Sequence, residues 1–111
     1  MYEILTTSNP LQVQTFRLFG FQLTFTLRYN TIAKGWNYDL YDHTESAYIC
    51  QGLGLSVSAP SLISKPLPFV VVLVDKSGFG INSIYREEMG QRLGIYFMSK
   101  ESFYAAIRSP D

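Results

Sequence analysis

Side chains that carry chemistry are scarce in this chain: 111 residues hold one cysteine, one histidine and one tryptophan. A lone cysteine, Cys50, excludes an internal disulfide and a cysteine-rich zinc site, and it fits a reducing compartment. Charge is sparse too, at 16% of residues against the roughly 25% of an ordinary soluble domain. Nine basic side chains balance nine acidic ones, so no global field draws the chain onto phosphate backbones or anionic membranes. Long apolar runs are missing: the longest, Phe69 to Val74, has six residues, far short of the roughly 20 that a spanning helix needs. The first positive residue is Arg17, and the segment before it lacks the basic start and apolar stretch of a leader peptide. The expectations are therefore no membrane, no targeting segment and a disadvantage for nucleic acid.

Aromatic and aliphatic side chains are plentiful. Apolar residues make up 47% of the chain, with tyrosine and phenylalanine at eight each. A chain of this length buries roughly two-thirds of its unfolded surface, enough for a core without staples. One domain over 1–111 is expected, with a β core over 11–98. High aromatic content beside low charge further suggests a subunit whose apolar surface is partly covered by a neighbour.

Alternation is the strongest local signal. Phe21, Leu23, Phe25, Leu27 and Tyr29 alternate with Gln22, Thr24, Thr26 and Arg28, which predicts a half-buried strand. The stretch Gln12–Phe19 before it is rich in β-branched and aromatic residues, and Gly20 suits a tight reversal into a hairpin. Trp36, Tyr38 and Leu40 give a third strand. After the polar turn Asp42–Ser46, the segments 47–50 and 53–57 read as short strands broken at Gly52 and Gly54, with a bulge between them. Residues 58–68 carry Pro60, Pro66 and Pro68 and form a surface loop. Phe69–Val74 reads as a strand buried on both faces, and Leu93–Met98 as the last strand. The period then changes: Ser99 is a candidate N-cap, and Phe103, Tyr104 and Ile107 recur at helical spacing, predicting a short helix over 99–108. The expected fold is all-β: a small antiparallel β-barrel or sandwich of six to seven short strands with a short C-terminal helix.

No catalytic constellation assembles from these residues. His43 sits in a polar turn with no partner set for a metal or a triad, and Cys50 has nothing nearby to lower its thiol pKa. Asp75 to Glu87 has the outline of a calcium loop, but Phe79 takes a ligand position and Arg86 stands where the closing carboxylate belongs. Gly78 and Gly80 lack the setting of a dinucleotide loop. Glu87 and Glu88, flanked by Arg86 and Arg92, read as a solvated charge patch. No catalytic residue, metal or cofactor is therefore assigned. Phe21, Phe25, Tyr29, Trp36 and Tyr38 suggest stacking platforms for a single-stranded nucleic acid or an oligosaccharide, yet they occupy alternate positions that belong to a core. Leu62, Ile63 and Leu67 put too many large apolar groups on one loop to leave in water. That loop either folds back on its own body or docks on a partner, and Pro60, Leu62, Ile63, Pro66 and Leu67 are its candidate partner contacts.

The order of features, from the hairpin at Phe19-Gly20-Phe21 through LTFTLRYN, WNYDLYD, GLGLSV and FVVVLVD to REEMGQRLGIYF, resembles the small baseplate plug proteins of contractile-tailed phages and prophages, typified by a cyanophage baseplate plug. The resemblance spans about Pro10 to Ser99. WNYDLYD is similar to the family's aromatic-x-hydrophobic-Asp strand, and EEMGQRLGIYF to its acidic-x-Gly-x-Arg element. The turn after Asp42 lacks a glycine often found there, and Ser83 and Ile84 replace an Asp-Pro. The resemblance implies a non-enzymatic structural virion protein without cofactor, near the central hub at the end of the tail tube and assembled in the host cytoplasm. It also implies contacts with hub, spike or tail-tube subunits, and a homo-oligomer for which a trimeric hub makes three copies natural. The alternative is a nucleic-acid or oligosaccharide binding module on a small β-barrel.

Overall fold

A computed structural model describes residues 2–57, 59–78 and 85–108, without the side chains of 106–108. Among the described residues, seven strands and one α-helix follow in chain order: β1 Tyr2–Ile4, β2 Leu11–Leu18, β3 Phe21–Asn30, β4 Gly35–Asp42, β5 Ala47–Gly54, β6 Phe69–Asp75, β7 Leu93–Ser99 and α1 Lys100–Arg108, with a 3-10 turn at Arg86–Glu88 before β7. They make a four-stranded sheet in the order β2-β3-β4-β5 and a three-stranded sheet in the order β1-β7-β6. All named pairings are antiparallel. Neither sheet closes on itself, so of the two architectures expected, the chain adopts the sandwich and not the barrel.

The hairpins follow from local chemistry. Leu18 pairs with Phe21, and the two intervening residues, Phe19 and Gly20, have φ of 53° and 82°. Positive φ at both central positions defines a type I′ turn, whose twist matches that of the strands it joins. The next two turns share another device. Asn30 pairs with Gly35 and Asp42 with Ala47, so each turn has four residues, and each ends on a residue in the left-handed region, Lys34 at 54° and Ser46 at 52°. Asn30 Oδ1 accepts from the N–H groups of Ile32 and Ala33, and Asp42 Oδ1 from that of Thr44. A short polar side chain thus folds the backbone two residues on.

Two strands differ from expectation. The segment 47–50 and the start of 53–57 belong to one strand, β5, because Gly52 at φ 62° absorbs a bulge that lets the ladder continue to Gly54; residues 55–57 lie beyond it. Strand β1 has no sequence signal of its own and exists through its pairing with β7, Tyr2 opposite Phe97. The helix begins as expected: Ser99 Oγ accepts from the N–H of Ser102 at 3.1 Å, a capping bond. α1 packs against β6 and β7. Ser58, Phe79, Gly80, Ser83, Ile84 and the Ile107 side chain lie outside the described residues.

The core lies between the sheets. Phe97, fully buried, meets Phe16, Phe25 and Phe69 at ring-centroid distances of 5.4, 6.0 and 5.5 Å. Phe69 in turn meets Phe19 and Phe21. The two sheets are therefore joined through edge-to-face and stacked aromatic pairs, each adding about 0.5–1.5 kcal/mol beyond the area it buries. Close approach also governs the turn before β7: Gly90 has φ 84°, and a Cβ there would collide with the Thr6 carbonyl oxygen.

Phe97→Ala is expected to cost about 3–5 kcal/mol, because it removes the shared partner of three rings; urea denaturation would measure the loss. Gly90→Ala should cost about 1–3 kcal/mol through overpacking alone, with further strain from the positive φ. A thermal melt unchanged in Gly90→Ala would show that the Thr6 contact does not hold the N-terminal segment.

Candidate functional site

The buried carboxylates of this sandwich are committed to its frame. Asp39, 7% exposed, pairs with Arg28 of the neighbouring strand and accepts the N–H of bulged Gly52 at 2.7 Å. The Arg28 guanidinium beside it holds the Asp39 carboxyl below its usual range. Asp75 accepts from the N–H and hydroxyl of Ser77 and pairs with Arg92 at 2.7 Å. Arg92 also pairs with Glu88. Glu88 is thus part of an ion-pair network and not of a solvated patch as the sequence suggested; Glu87 is exposed. The acidic-x-Gly-x-Arg element is a structural knot in which Gly90 admits the Thr6 backbone and Arg92 ties β7 to the end of β6.

The discarded catalytic candidates remain apart. His43 is exposed, lies 2.6 Å through Nε2 from Thr24 Oγ1 and stands edge-on to Tyr41. Cys50 lies in β5, partly buried against the core, and burial pushes its thiol pKa up, the opposite of an activated nucleophile. Burial likewise raises the Tyr38 hydroxyl pKa, and this buried hydroxyl makes no hydrogen bond of normal geometry. Among the described residues no group of three His, Cys, Asp or Glu is placed to hold a metal ion, and no helix is long and apolar enough to cross a membrane. Of the five aromatic residues considered as stacking platforms, Phe25, Trp36 and Tyr38 are at most 4% exposed, and Phe21 and Tyr29 pack against the same core. The nucleic-acid reading thereby loses its platform.

The proline-rich loop divides its residues between two tasks. Ser61 exchanges both backbone hydrogen bonds with Val71 of β6, at 2.8 and 3.2 Å, which anchors the loop along that strand. Leu62, next to it, is 5% exposed and held at φ 69°, a conformation a non-glycine residue takes only when its surroundings over-determine it. Leu62 is thus packed into the core of its own chain. Leu67 is half-buried against the core as well. Pro60 and Ile63 are half-buried and Pro66 is exposed. Pro60 and Ile63 line a cleft of about 290 Å³ whose other wall is Leu53 and Gly54 at the end of β5. No regular period runs through this loop, so nothing in the sequence separates Leu62 from Ile63.

This is an all-β sandwich whose buried charges serve its turns, the build of a structural subunit. A family model described as cyanophage baseplate Pam3 plug gp18 matches residues 1–100, and the chain belongs to this family of phage baseplate plugs. It has a structural role in a phage baseplate, is located in the virion tail and assembles with other baseplate components. No curated protein matches the chain.

Asp39→Ala should destabilise the fold by about 1.5–3 kcal/mol at neutral pH, the range for a hydrogen bond to a charged group. Because the folded-state pKa of Asp39 is lowered from 3.8, its contribution is complete above that value and is lost as pH falls through the folded pKa. Urea midpoints of parent and variant should therefore converge as the pH falls below 3.8. A gap that stays constant with pH would mean that packing, and not the ion pair, sets the loss.

Proposed function

We propose that this chain is the plug at the central hub of a contractile phage tail, seated at the end of the tail tube and acting through contacts with hub, spike or tube subunits. The observation that carries the reading is the family match, which takes in every strand. The chain folds as one domain, performs no catalysis, needs no cofactor and assembles in the host cytoplasm. A homo-oligomer of three copies suits a trimeric hub. Residues 59–68 supply one contact: Leu62 and Leu67 hold the loop to the body, while Pro60 and Ile63 line the cleft beside Leu53 and Pro66 is exposed.

Purified, contraction-competent tails should contain the chain at a few copies per particle by quantitative mass spectrometry, and its absence from such tails would remove the plug reading. Ile63→Asp is expected to fold normally and to lower that copy number at least tenfold. Leu62→Asp, in contrast, should fail to fold, because it places a carboxylate in the core. Normal incorporation of a folded Ile63→Asp chain would show that the cleft is not a contact.

A further inference from the structure

Two open sheets have four edges, and exposed edges invite pairing unless they are blunted. Three are blunted here. The β6 edge is covered by Ser61 at Val71 and by a bridge from Val57 to Leu73. The β1 edge is three residues long. The β5 edge is interrupted by two register shifts, and Gly52 directs its N–H to the Asp39 side chain. Strand β2 differs from all three. Its eight residues stay in unbroken register with β3 from Leu11 opposite Arg28 to Leu18 opposite Phe21. It contains no proline or glycine and a single charge, Arg17.

The phase of its hydrogen bonds is fixed by the N–H of Tyr29, which donates to the Pro10 carbonyl at 2.9 Å. Even-numbered residues of β2 therefore turn their backbone groups to β3, and Leu11, Val13, Thr15 and Arg17 turn theirs outward. Among the described residues nothing pairs with that side. Leu11 and Val13, 60% and 62% exposed, flank this edge, as does Leu5 at 88%, whose carbonyl accepts from Gln14 Nε2. Tyr2 stacks on Phe16 beside it.

We propose that the outer edge of β2 is a docking site for an extended strand of another baseplate subunit, an inference that rests on the plug reading. The arriving segment is apolar where it meets Leu5, Leu11 and Val13, and acidic opposite Arg17. A second copy of this chain fits less well. The antiparallel register that uses all four outward residues of two copies is centred on Gln14, and it sets Arg17 opposite Leu11 and Thr15 opposite Val13, polar against apolar.

Val13→Pro tests the edge, because proline removes an outward N–H and leaves the β2–β3 ladder its bonds. Val13→Pro should melt within a few degrees of the parent and be incorporated into tails at least tenfold less, with Val13→Thr incorporated normally. A photocrosslinking p-benzoylphenylalanine in place of Val13 should join the chain to a different baseplate subunit in purified tails, a readout that does not depend on the proline variant folding. Full incorporation of a folded Val13→Pro chain, no crosslink, or a crosslink only to a second copy would overturn the proposal. Absence of the parent chain itself from tails would instead remove the plug reading beneath it.

Discussion

The junction of rings around Phe97 is what makes one body out of two sheets. The β2-β3-β4-β5 ladder and the β1-β7-β6 ladder have no strand in common, so their backbone hydrogen bonds stabilise each sheet separately. Phe16 and Phe25 from one side and Phe69 from the other close on Phe97, and apolar burial at about 25 cal/mol per Å² is the force that holds the layers. This requirement explains the composition. Phe16, Phe25, Trp36 and Tyr38 are drawn to the inner face, and the opposite face of β3 stays polar with Gln22, Thr24 and Thr26; Tyr41, across from Thr24, lies on that outer face against His43 and Tyr48.

Charge serves the same frame. Asp39 and Asp75 are 7% and 6% exposed, and a carboxylate at such depth requires partners. Arg28 and the bulged Gly52 N–H satisfy the first; Arg92 and Ser77 satisfy the second. Arg28 and Arg92 reach across from a neighbouring strand or turn, so these two carboxylates double as register marks, whereas Asp42, 4% exposed, accepts from the N–H of Thr44 in its own turn. Asp39 and Asp75 are thereby tied to the frame of the fold. That agrees with the structural role of its family.

Much of the fold was legible where one physical signal dominated. Alternation marked Phe21–Tyr29 because one face of β3 is core, and Ser99 was readable as a cap because a hydroxyl at a helix start has a local task. The rest depends on partners distant in sequence. Tyr2-Glu3-Ile4 is a strand only because β7 lies beside it. Sheet closure depends on which edges meet, which alternation within a strand does not encode, so barrel and sandwich stayed equivalent in the sequence. Glu88 and Arg92 read as part of a solvated patch because their link to Asp75 crosses the whole β6–β7 connection. Among the candidate loop contacts, the burial of Leu62 follows from the Ser61–Val71 pairing, which no local pattern announces.

The N-terminal connection shows how these long-range constraints converge. Strand β1 belongs to the three-stranded sheet and β2 to the other, so residues 5–10 cross between layers without a ladder of their own. Gln12 and Gln14 stitch that crossing, their amides bonding to the backbone of Thr7, Asn9 and Leu5, and Gly90 allows the turn before β7 to close beneath Thr6. Lys76 pairs with Glu3 at 2.6 Å, and the Tyr96 hydroxyl reaches the same carboxylate. Burial and the Lys76 and Tyr96 bonds act against each other on that group, with the Lys76 bond dominant and its pKa lowered. The crossing is therefore held by side chains at both ends and by a glycine in the middle, an arrangement specific to one alignment of the two sheets. A segment fixed in this way keeps β2 beside β1 while leaving the outward backbone groups of β2 unspent. The edge stays open because the residues that would otherwise cover it are occupied in joining the layers.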